Sequence, residues 1–229
     1  MSLDHTRHSG IFDASEIKTA LIGGGGIGAI TAITLAKMGV KAQMIFDDDT
    51  VDEVNLATQF HLVSDVGLNK AESVCKQVKA YAGGHPIPMD MRVEANMEMS
   101  LFPRTADVYI SAVDSIKSRK EIWKMITGAL GIPNPMLTQR WYLDARMGAE
   151  VFELFVVNLA NAGWYHSMSA KEDDADFPEI PCTSKATIYT ADIAAGHIGA
   201  TIRRIATWEQ QPGMLRHDIL NNELSFLEI

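Results

Sequence analysis

Short apolar runs alternate with stretches of helical periodicity along the first half of the chain. The run Lys18–Ile22 predicts a buried strand, the apolar spacing in Ile27–Met38 predicts a helix, and Val40–Phe46 predicts a second strand. Gly39 directly follows the helical pattern, as is typical of a helix end. Two strands joined by a helix within about 30 residues predict a parallel βαβ unit with a right-handed crossover.

The rest of the chain continues this alternation. The further predicted elements are a helix at Gly67–Tyr81, strands at Met91–Glu94 and Asp107–Val113, a helix at Ser115–Leu130, a strand through Trp141 and Leu143, an antiparallel edge strand at Glu150–Asn158, an irregular segment at Leu159–Pro181, a helix at Lys185–Trp208 and a last strand within Pro212–Ile229. This pattern predicts an α/β fold, Rossmann-like and doubly wound, with a mostly parallel sheet and an antiparallel extension. We expect a single domain, 1–229, with a nucleotide-binding half at about 15–130 and a partner-binding half at about 136–229.

Composition narrows the class of protein. The 229 residues carry 29 acidic and 20 basic side chains, and this net charge of −9 argues against a nucleic-acid-coating protein. Thr19–Ala36 is uncharged, but four consecutive glycines within it indicate a strand, a turn and a helix rather than a membrane span. Cys75 and Cys182 are too few for a disulfide framework or a four-thiolate zinc site. We therefore expect no structural zinc, no membrane association and a reducing, cytoplasmic location.

A glycine-rich turn lies between the first predicted strand and helix. Gly23–Gly28 satisfies G-x-G-x-x-G, in which glycines let the backbone approach phosphates and the helix start offers unpaired N–H groups. Asp47 follows at the end of the second strand, where a carboxylate can accept hydrogen bonds from ribose hydroxyls. A tight packing turn is the structural alternative, and the motif by itself does not distinguish NAD, FAD and ATP.

The segment after the second strand is polar and favours ATP. ATP chemistry needs cations and amides around the triphosphate and a carboxylate for magnesium. Lys70 supplies the charge, Asn55 and Gln59 supply amides, and Asp49 adds to a carboxylate cluster. Asp114 ends a later parallel strand, and ligands bind at the carboxyl ends of such strands.

The order of these motifs resembles the ThiF/MoeB/HesA family, which is related to the ubiquitin-activating enzymes. The family pattern G-x-G-G-x-G is matched by Gly23–Gly28 and the pattern D-x-D-x-V-x-x-x-N-L-x-R-Q by Asp47–Gln59. G-x-x-K and a strand-end aspartate are matched by Gly67–Lys70 and Asp114. Several motifs in the family's order are far more specific than the glycine turn alone.

The resemblance implies an activity and a set of roles. Members of this family use ATP and Mg²⁺ to adenylate the C-terminal carboxylate of a small ubiquitin-like or sulfur-carrier protein, which we expect to end in Gly-Gly. Asp47 would hold the ribose, and Asp114 would hold magnesium. Arg7 matches an arginine that reaches the phosphates of the neighbouring subunit, which implies a homodimer. The implied nucleotide-binding set is Gly23, Gly25, Gly26, Gly28, Asp47, Asp49, Asn55, Gln59 and Lys70, and the implied catalytic set is Arg7, Lys70, Asp114 and Cys182.

Two departures from the family pattern leave alternatives open. Thr58 stands where the family has an arginine, and the paired CxxC zinc motifs are absent. Cys182 resembles the reactive cysteine of family members, or it is a packing residue, whereas Cys75 lies within a predicted helix and is expected in the core. Arg146 has two interpretations, an active-site contact or an ion pair with Asp144 or Glu150. The alternatives to an adenylyltransferase are a non-catalytic nucleotide-binding relative and an NAD(P)-dependent oxidoreductase.

Overall fold

A computed structural model describes residues 3–40, 42–173 and 186–228. The strands are β1 Lys18–Ile22, β2 Ala42–Phe46, β3 Ile87–Met89, β4 Val108–Ser111, β5 Trp141–Gly148, β6 Val151–Asn158, β7 Met214–Asp218 and β8 Glu223–Leu227. The helices are α1 Gly26–Lys37, α2 Lys70–Ala82, α3 Ile116–Leu130, α4 Gly163–Ser169 and α5 Ile188–Ala206. Short 3₁₀ turns occupy Glu53–Asn55, Val63–Asp65 and Leu159–Asn161.

All eight strands form a single sheet in the order β3-β2-β1-β4-β5-β6-β7-β8. The strands from β3 to β5 pair in parallel, and those from β5 to β8 pair antiparallel. This confirms the predicted mostly parallel sheet with an antiparallel extension. The order reverses between β1 and β4, so the crevice at their carboxyl ends is the place where such sheets bind ligands.

Two apolar clusters cover the opposite faces of the sheet. Leu21 belongs to the cluster under α1, α2 and α5, whereas its strand neighbours Ala20 and Ile22 belong to the cluster under α3 and α4. Successive strand residues point to opposite faces, so consecutive apolar residues of the central strand are buried on both sides of the sheet. Helices on both faces confirm the doubly wound arrangement. Cys75 lies in the first cluster, where burial raises its pKa to about 12, as expected for a packing residue.

Besides small shifts at helix ends, three differences separate the predicted elements from the structure. The third strand is Ile87–Met89 rather than Met91–Glu94, and it contains Pro88 because it is an edge strand that tolerates a missing N–H. The strand at Val151–Asn158 is antiparallel as predicted, but it is not an edge, since the C-terminal segment adds the two-stranded β7–β8 hairpin beside it. The segment predicted as irregular contains α4, which buries Tyr165 completely.

Within the described part of the chain, no helix is both long and apolar enough to cross a membrane. The uncharged stretch Thr19–Ala36 forms β1, the glycine turn and most of α1, in agreement with the sequence interpretation.

Candidate nucleotide site

The glycine turn connects β1 to α1 and packs against the end of β4. A Cβ atom on Gly23, whose φ is +103°, would lie 2.7 Å from the Ala112 carbonyl oxygen. A Cβ atom on Gly28 would lie 1.8 Å from the Gly23 carbonyl oxygen. No L side chain fits at either position without moving backbone. These two glycines therefore close the turn itself, whatever the turn binds.

The intervening glycines have a different role. A Cβ on Gly25 would meet only the Gln59 side chain, at 3.8 Å, and a Cβ on Gly26 would lie 3.3 Å from the Thr58 carbonyl oxygen. Gly25 is the N-cap of α1 and supplies no side-chain hydrogen bond to the first helical N–H groups. The start of α1 thus presents donors and the positive end of the helix dipole, the arrangement that binds phosphates in many nucleotide sites.

Asp47 faces the glycine turn. Its Oδ2 accepts a hydrogen bond from the Gly24 N–H at 2.6 Å, and its Oδ1 accepts one from the Asp49 N–H at 2.8 Å. Burial raises the pKa of Asp47, and the two backbone donors only partly oppose this effect. The spacing argument therefore placed this carboxylate correctly, beside the turn at the end of β2.

Lys70 is the first residue of α2, and its N–H donates to the Asp49 carbonyl just beyond the end of β2. It is only 8% exposed, and its Nζ donates to Asp49 Oδ2 at 3.1 Å. Asn69 caps α2 by accepting from the Glu72 N–H, which explains why this helix begins at residue 70 rather than at Gly67. A buried ammonium group next to the glycine turn is suited to stabilise negative charge.

The two predicted amide residues are placed differently. Asn55 accepts from the Asp52 N–H at 3.0 Å in a local capping box. Gln59 reaches the glycine turn beside Gly25, and its buried Oε1 has no hydrogen-bond partner in the described structure. The structure therefore brings Gln59 to the turn, whereas it engages the Asn55 side chain in local capping.

The carboxylates of Asp47, Asp48 and Asp49 have oxygen atoms within 4.8 Å of one another and could hold a cation. However, Arg92 pairs with Asp48 at 3.2 Å and Lys70 pairs with Asp49, so the protein itself already neutralises part of this charge. Their hydrogen bonds to the glycine turn and to α2 are sufficient to explain the cluster.

Asp114 lies just beyond the end of β4, exposed at the carboxyl edge of the sheet. The loop between β4 and α3, which contains Asp114, packs against the glycine turn. A Cβ built on Gly23 would lie only 3.2 Å from the Val113 nitrogen. Ser115 follows and caps α3 by accepting from the Ser118 N–H. The turn and Asp114 therefore border the same crevice.

A buried charge network lies behind Asp114, and sequence reasoning missed its central member. Arg119 donates to the carboxylate of Asp144, to the Ala145 carbonyl at 3.1 Å and to the Val113 carbonyl. Asp144 is fully buried and also accepts from the Tyr165 hydroxyl at 2.8 Å. The sequence shows Arg119 within a predicted helix, which does not indicate burial. Its partners Asp144 and Ala145 lie on β5, 25 and 26 residues further along the chain.

Arg146 extends this network. Its Nε donates to Asp144 Oδ2 at 2.8 Å, and its two terminal nitrogens bind the Glu172 carboxylate at 2.7 and 3.0 Å. The guanidinium also lies over the Phe155 ring, 4.4 Å from its centroid. Of the two sequence interpretations, carboxylate pairing is the one that the structure shows, with Asp144 and Glu172 as partners. Burial by itself would raise the pKa of Asp144, but Arg119 and Arg146 hold it below its ordinary value.

Of the predicted catalytic residues, Arg7 does not meet the crevice of this chain. Arg7 is exposed in an N-terminal turn whose His5 ring lies about 3.6 Å from a Cβ built on Gly39, at the far end of α1 from the glycine turn. Cys182 lies outside the described residues.

The family model described as "ThiF family" matches residues 1–229, the whole chain. The chain belongs to the ThiF family. The predicted resemblance to this family is thereby confirmed.

Curated relatives match about half of this ThiF-family chain. It is 33% identical over 115 residues to a probable adenylyltransferase/sulfurtransferase MoeZ of Mycobacterium tuberculosis, covering 48% of this chain and 29% of that protein. It is 34% identical over 106 residues to the SAMP-activating enzyme E1 of Haloferax volcanii, covering 44% and 38%. The chain thus matches less than two fifths of the length of these relatives.

Solved structures show the same fold at low sequence identity. The crystal structure of E. coli MccB with AMPCPP and MccA has a TM-score of 0.63 and 14% identity, and the match covers 94% of this chain and 64% of that one. At this identity the likeness establishes the ThiF-type fold.

Proposed function

We propose that this chain is an ATP- and Mg²⁺-dependent adenylyltransferase that activates the C-terminal carboxylate of a small ubiquitin-like or sulfur-carrier protein in the cytoplasm. The observation that carries the proposal is the convergence, at the carboxyl ends of β1, β2 and β4, of an open helix N-terminus, Lys70 and Asp114. The names of the relatives, an adenylyltransferase and an activating enzyme, support it. An NAD(P)-dependent oxidoreductase needs neither Lys70 nor Asp114.

The residues divide the work of carboxylate activation. Attack of a carboxylate on the α-phosphorus requires in-line positioning and neutralisation of charge more than a base. The α1 N–H groups and Lys70 would bind phosphate oxygens, and Asp47 would accept hydrogen bonds from the ribose. Gln59, whose Oε1 lacks a partner at the turn, is free to orient the nucleotide.

Asp114 fits a magnesium ligand because it offers an exposed, hard carboxylate oxygen at the edge of the crevice. Bound magnesium would supply neutralisation of the polyphosphate charge. The cysteine content agrees with an enzyme that works without structural zinc.

A second candidate function is a relative that binds nucleotide without activating a partner. Thr58 favours it, since its carbonyl faces Gly26 and no cation stands at the family's arginine position. Such a protein would bind Mg·ATP without turning it over.

The test is calorimetric binding of Mg·ATP followed by ATP–pyrophosphate exchange with a carrier protein ending in Gly-Gly. The proposed enzyme binds ATP and exchanges pyrophosphate only when the carrier is present. Binding without exchange identifies the second candidate, and we then expect Thr58→Arg to introduce exchange; absence of binding rejects both. If Cys182 accepts the activated acyl group, Cys182→Ala keeps the exchange and blocks onward transfer; normal transfer by this variant shows that the cysteine is structural.

We also propose that two copies of the chain complete each site. Arg7 lies at the far end of α1 from its own glycine turn, so it can serve a phosphate site only on a second copy. Sedimentation velocity at micromolar concentration should therefore report a homodimer. A fully active monomer would contradict this arrangement.

A further inference from the structure

A relay of hydrogen bonds leads from a buried carboxylate toward the glycine turn. His61 is 9% exposed, and its Nδ1 lies 2.9 Å from Ser73 Oγ. Ser73 Oγ donates in turn to Oδ2 of Asp65, which is fully buried, at 2.8 Å. Three side chains from two segments thus form one line of hydrogen bonds. The line adjoins the glycine turn through Gln59, whose carbonyl accepts from the His61 N–H at 2.9 Å and whose side chain lies beside Gly25.

The direction of these bonds fixes the tautomer of His61. A serine hydroxyl has one proton, and Ser73 gives it to Asp65, so Ser73 must accept from the His61 ring. The ring proton therefore lies on Nδ1, and Nε2 carries a lone pair. That Nε2 atom is buried and has no hydrogen-bond partner among the described residues. A buried polar atom without a partner calls for an explanation.

The charges around the ring keep it neutral in the free protein. Burial and the Lys70 ammonium lower the pKa of His61, and they outweigh Asp65 and the Gly24 main chain, which raise it. Asp65 is itself compensated by Lys76, whose Nζ lies 2.5 Å from it. Of the two main-chain polar groups of Gly24, the N–H donates to Asp47 and only the carbonyl can accept, so the interaction with Gly24 that raises the pKa of His61 points to this carbonyl as the acceptor for a proton on Nε2.

We propose that His61 is a proton-coupled positioning residue of the glycine turn: when an anionic polyphosphate binds there, Nε2 takes up one proton from solvent and donates a hydrogen bond to the Gly24 carbonyl. This rests on the proposed nucleotide site. Phosphate oxygens neutralise Lys70 and bring negative charge near the ring, and both effects favour the imidazolium. No other bond forms or breaks. The site gains one positive charge, which it lacks at residue 58 because Thr58 stands in place of the family's arginine.

The test is isothermal titration of the full chain with Mg·ATP, at saturating magnesium, in two buffers of different ionisation enthalpy. We expect an uptake of up to one proton per bound nucleotide at about pH 7. The affinity should rise by up to about tenfold per pH unit as the pH falls toward 6. His61→Gln should abolish the uptake and flatten the pH dependence. His85→Gln, which changes an exposed histidine after α2, should leave both unchanged.

The outcomes separate this inference from the proposed function. Nucleotide binding without proton uptake, or equal uptake by wild type and folded His61→Gln and His61→Asn variants, overturns the role of His61 and leaves the nucleotide site standing. Absence of binding overturns both. Nitrogen-15 spectra of the ring provide a second readout: the free protein should show a protonated Nδ1 and a bare Nε2, and the ATP-saturated protein should show both protonated. A free protein with its ring proton on Nε2 contradicts the relay.

Discussion

Asp114→Ala should lower carrier-dependent ATP–pyrophosphate exchange by about 10²–10³-fold, because it removes the carboxylate that would hold the metal against the polyphosphate. The side chain is exposed beyond the end of β4, so the loss should come from chemistry and not from unfolding. The rate of exchange of labelled pyrophosphate into ATP measures the effect, and thermal unfolding of the variant checks its fold.

Glu223→Ala is the control, since Glu223 is an exposed carboxylate on β8, the edge of the sheet farthest from β1. It should exchange pyrophosphate at the wild-type rate. Near-normal exchange in Asp114→Ala would remove this residue from the catalytic set and return the acidic cluster at Asp47–Asp49 to consideration as the cation site.

Asp144→Ala should destabilise the fold by about 3–5 kcal/mol, because it leaves buried arginines without their shared carboxylate. Arg119 and Arg146 both donate to Asp144, and Tyr165 loses its acceptor as well. Urea unfolding measures the free energy. The exposed pair Arg216–Glu153, on β7 and β6, supplies the control, and Glu153→Gln should cost at most about 1 kcal/mol.

The same network predicts a dependence on pH. The folded pKa of Asp144 lies below the ordinary value of 3.8, so its contribution is present above that value and is lost as pH falls through the folded pKa. The unfolding free energies of wild type and Asp144→Ala should therefore converge in acid. A constant gap down to the lowest pH would show that cavity formation, rather than the charge, accounts for the loss.

Local patterns were sufficient to predict the β1–α1–β2 unit. The buried positions of its strands are mostly apolar, with Thr19 and Gln43 as the exceptions, and Gly23–Gly28 and Gly39 mark the ends of its helix. The same signals failed at Ile87–Met89, where Pro88 argued against a strand that the sheet edge tolerates. They also failed at α4, which is short and is stabilised by burial of Tyr165 against distant strands.

The candidate site divides in the same way. Asp47 follows a fixed spacing from the glycine turn, so sequence could place it. The partners of His61 and Arg119 have no such spacing: Ser73 lies a full helix turn inside α2, and Asp144 lies on β5. The residues of a buried polar network have no regular spacing in the sequence, because their contacts depend on which strands and helices pack together.

The glycines of the turn have different roles, and this difference bears on how ThiF-family sequences diverge. Gly23 and Gly28 are held by backbone contacts of the chain with itself, whereas Gly25 faces only the Gln59 side chain. If the proposed ATP binding were lost in a descendant, Gly23 and Gly28 would still be selected for folding, whereas Gly25 and Asp114 would be free to change. Retention of Gly23 and Gly28 alone would therefore indicate only that the fold is kept. Substitutions at Gly25 and Asp114 would indicate that the proposed activity is lost.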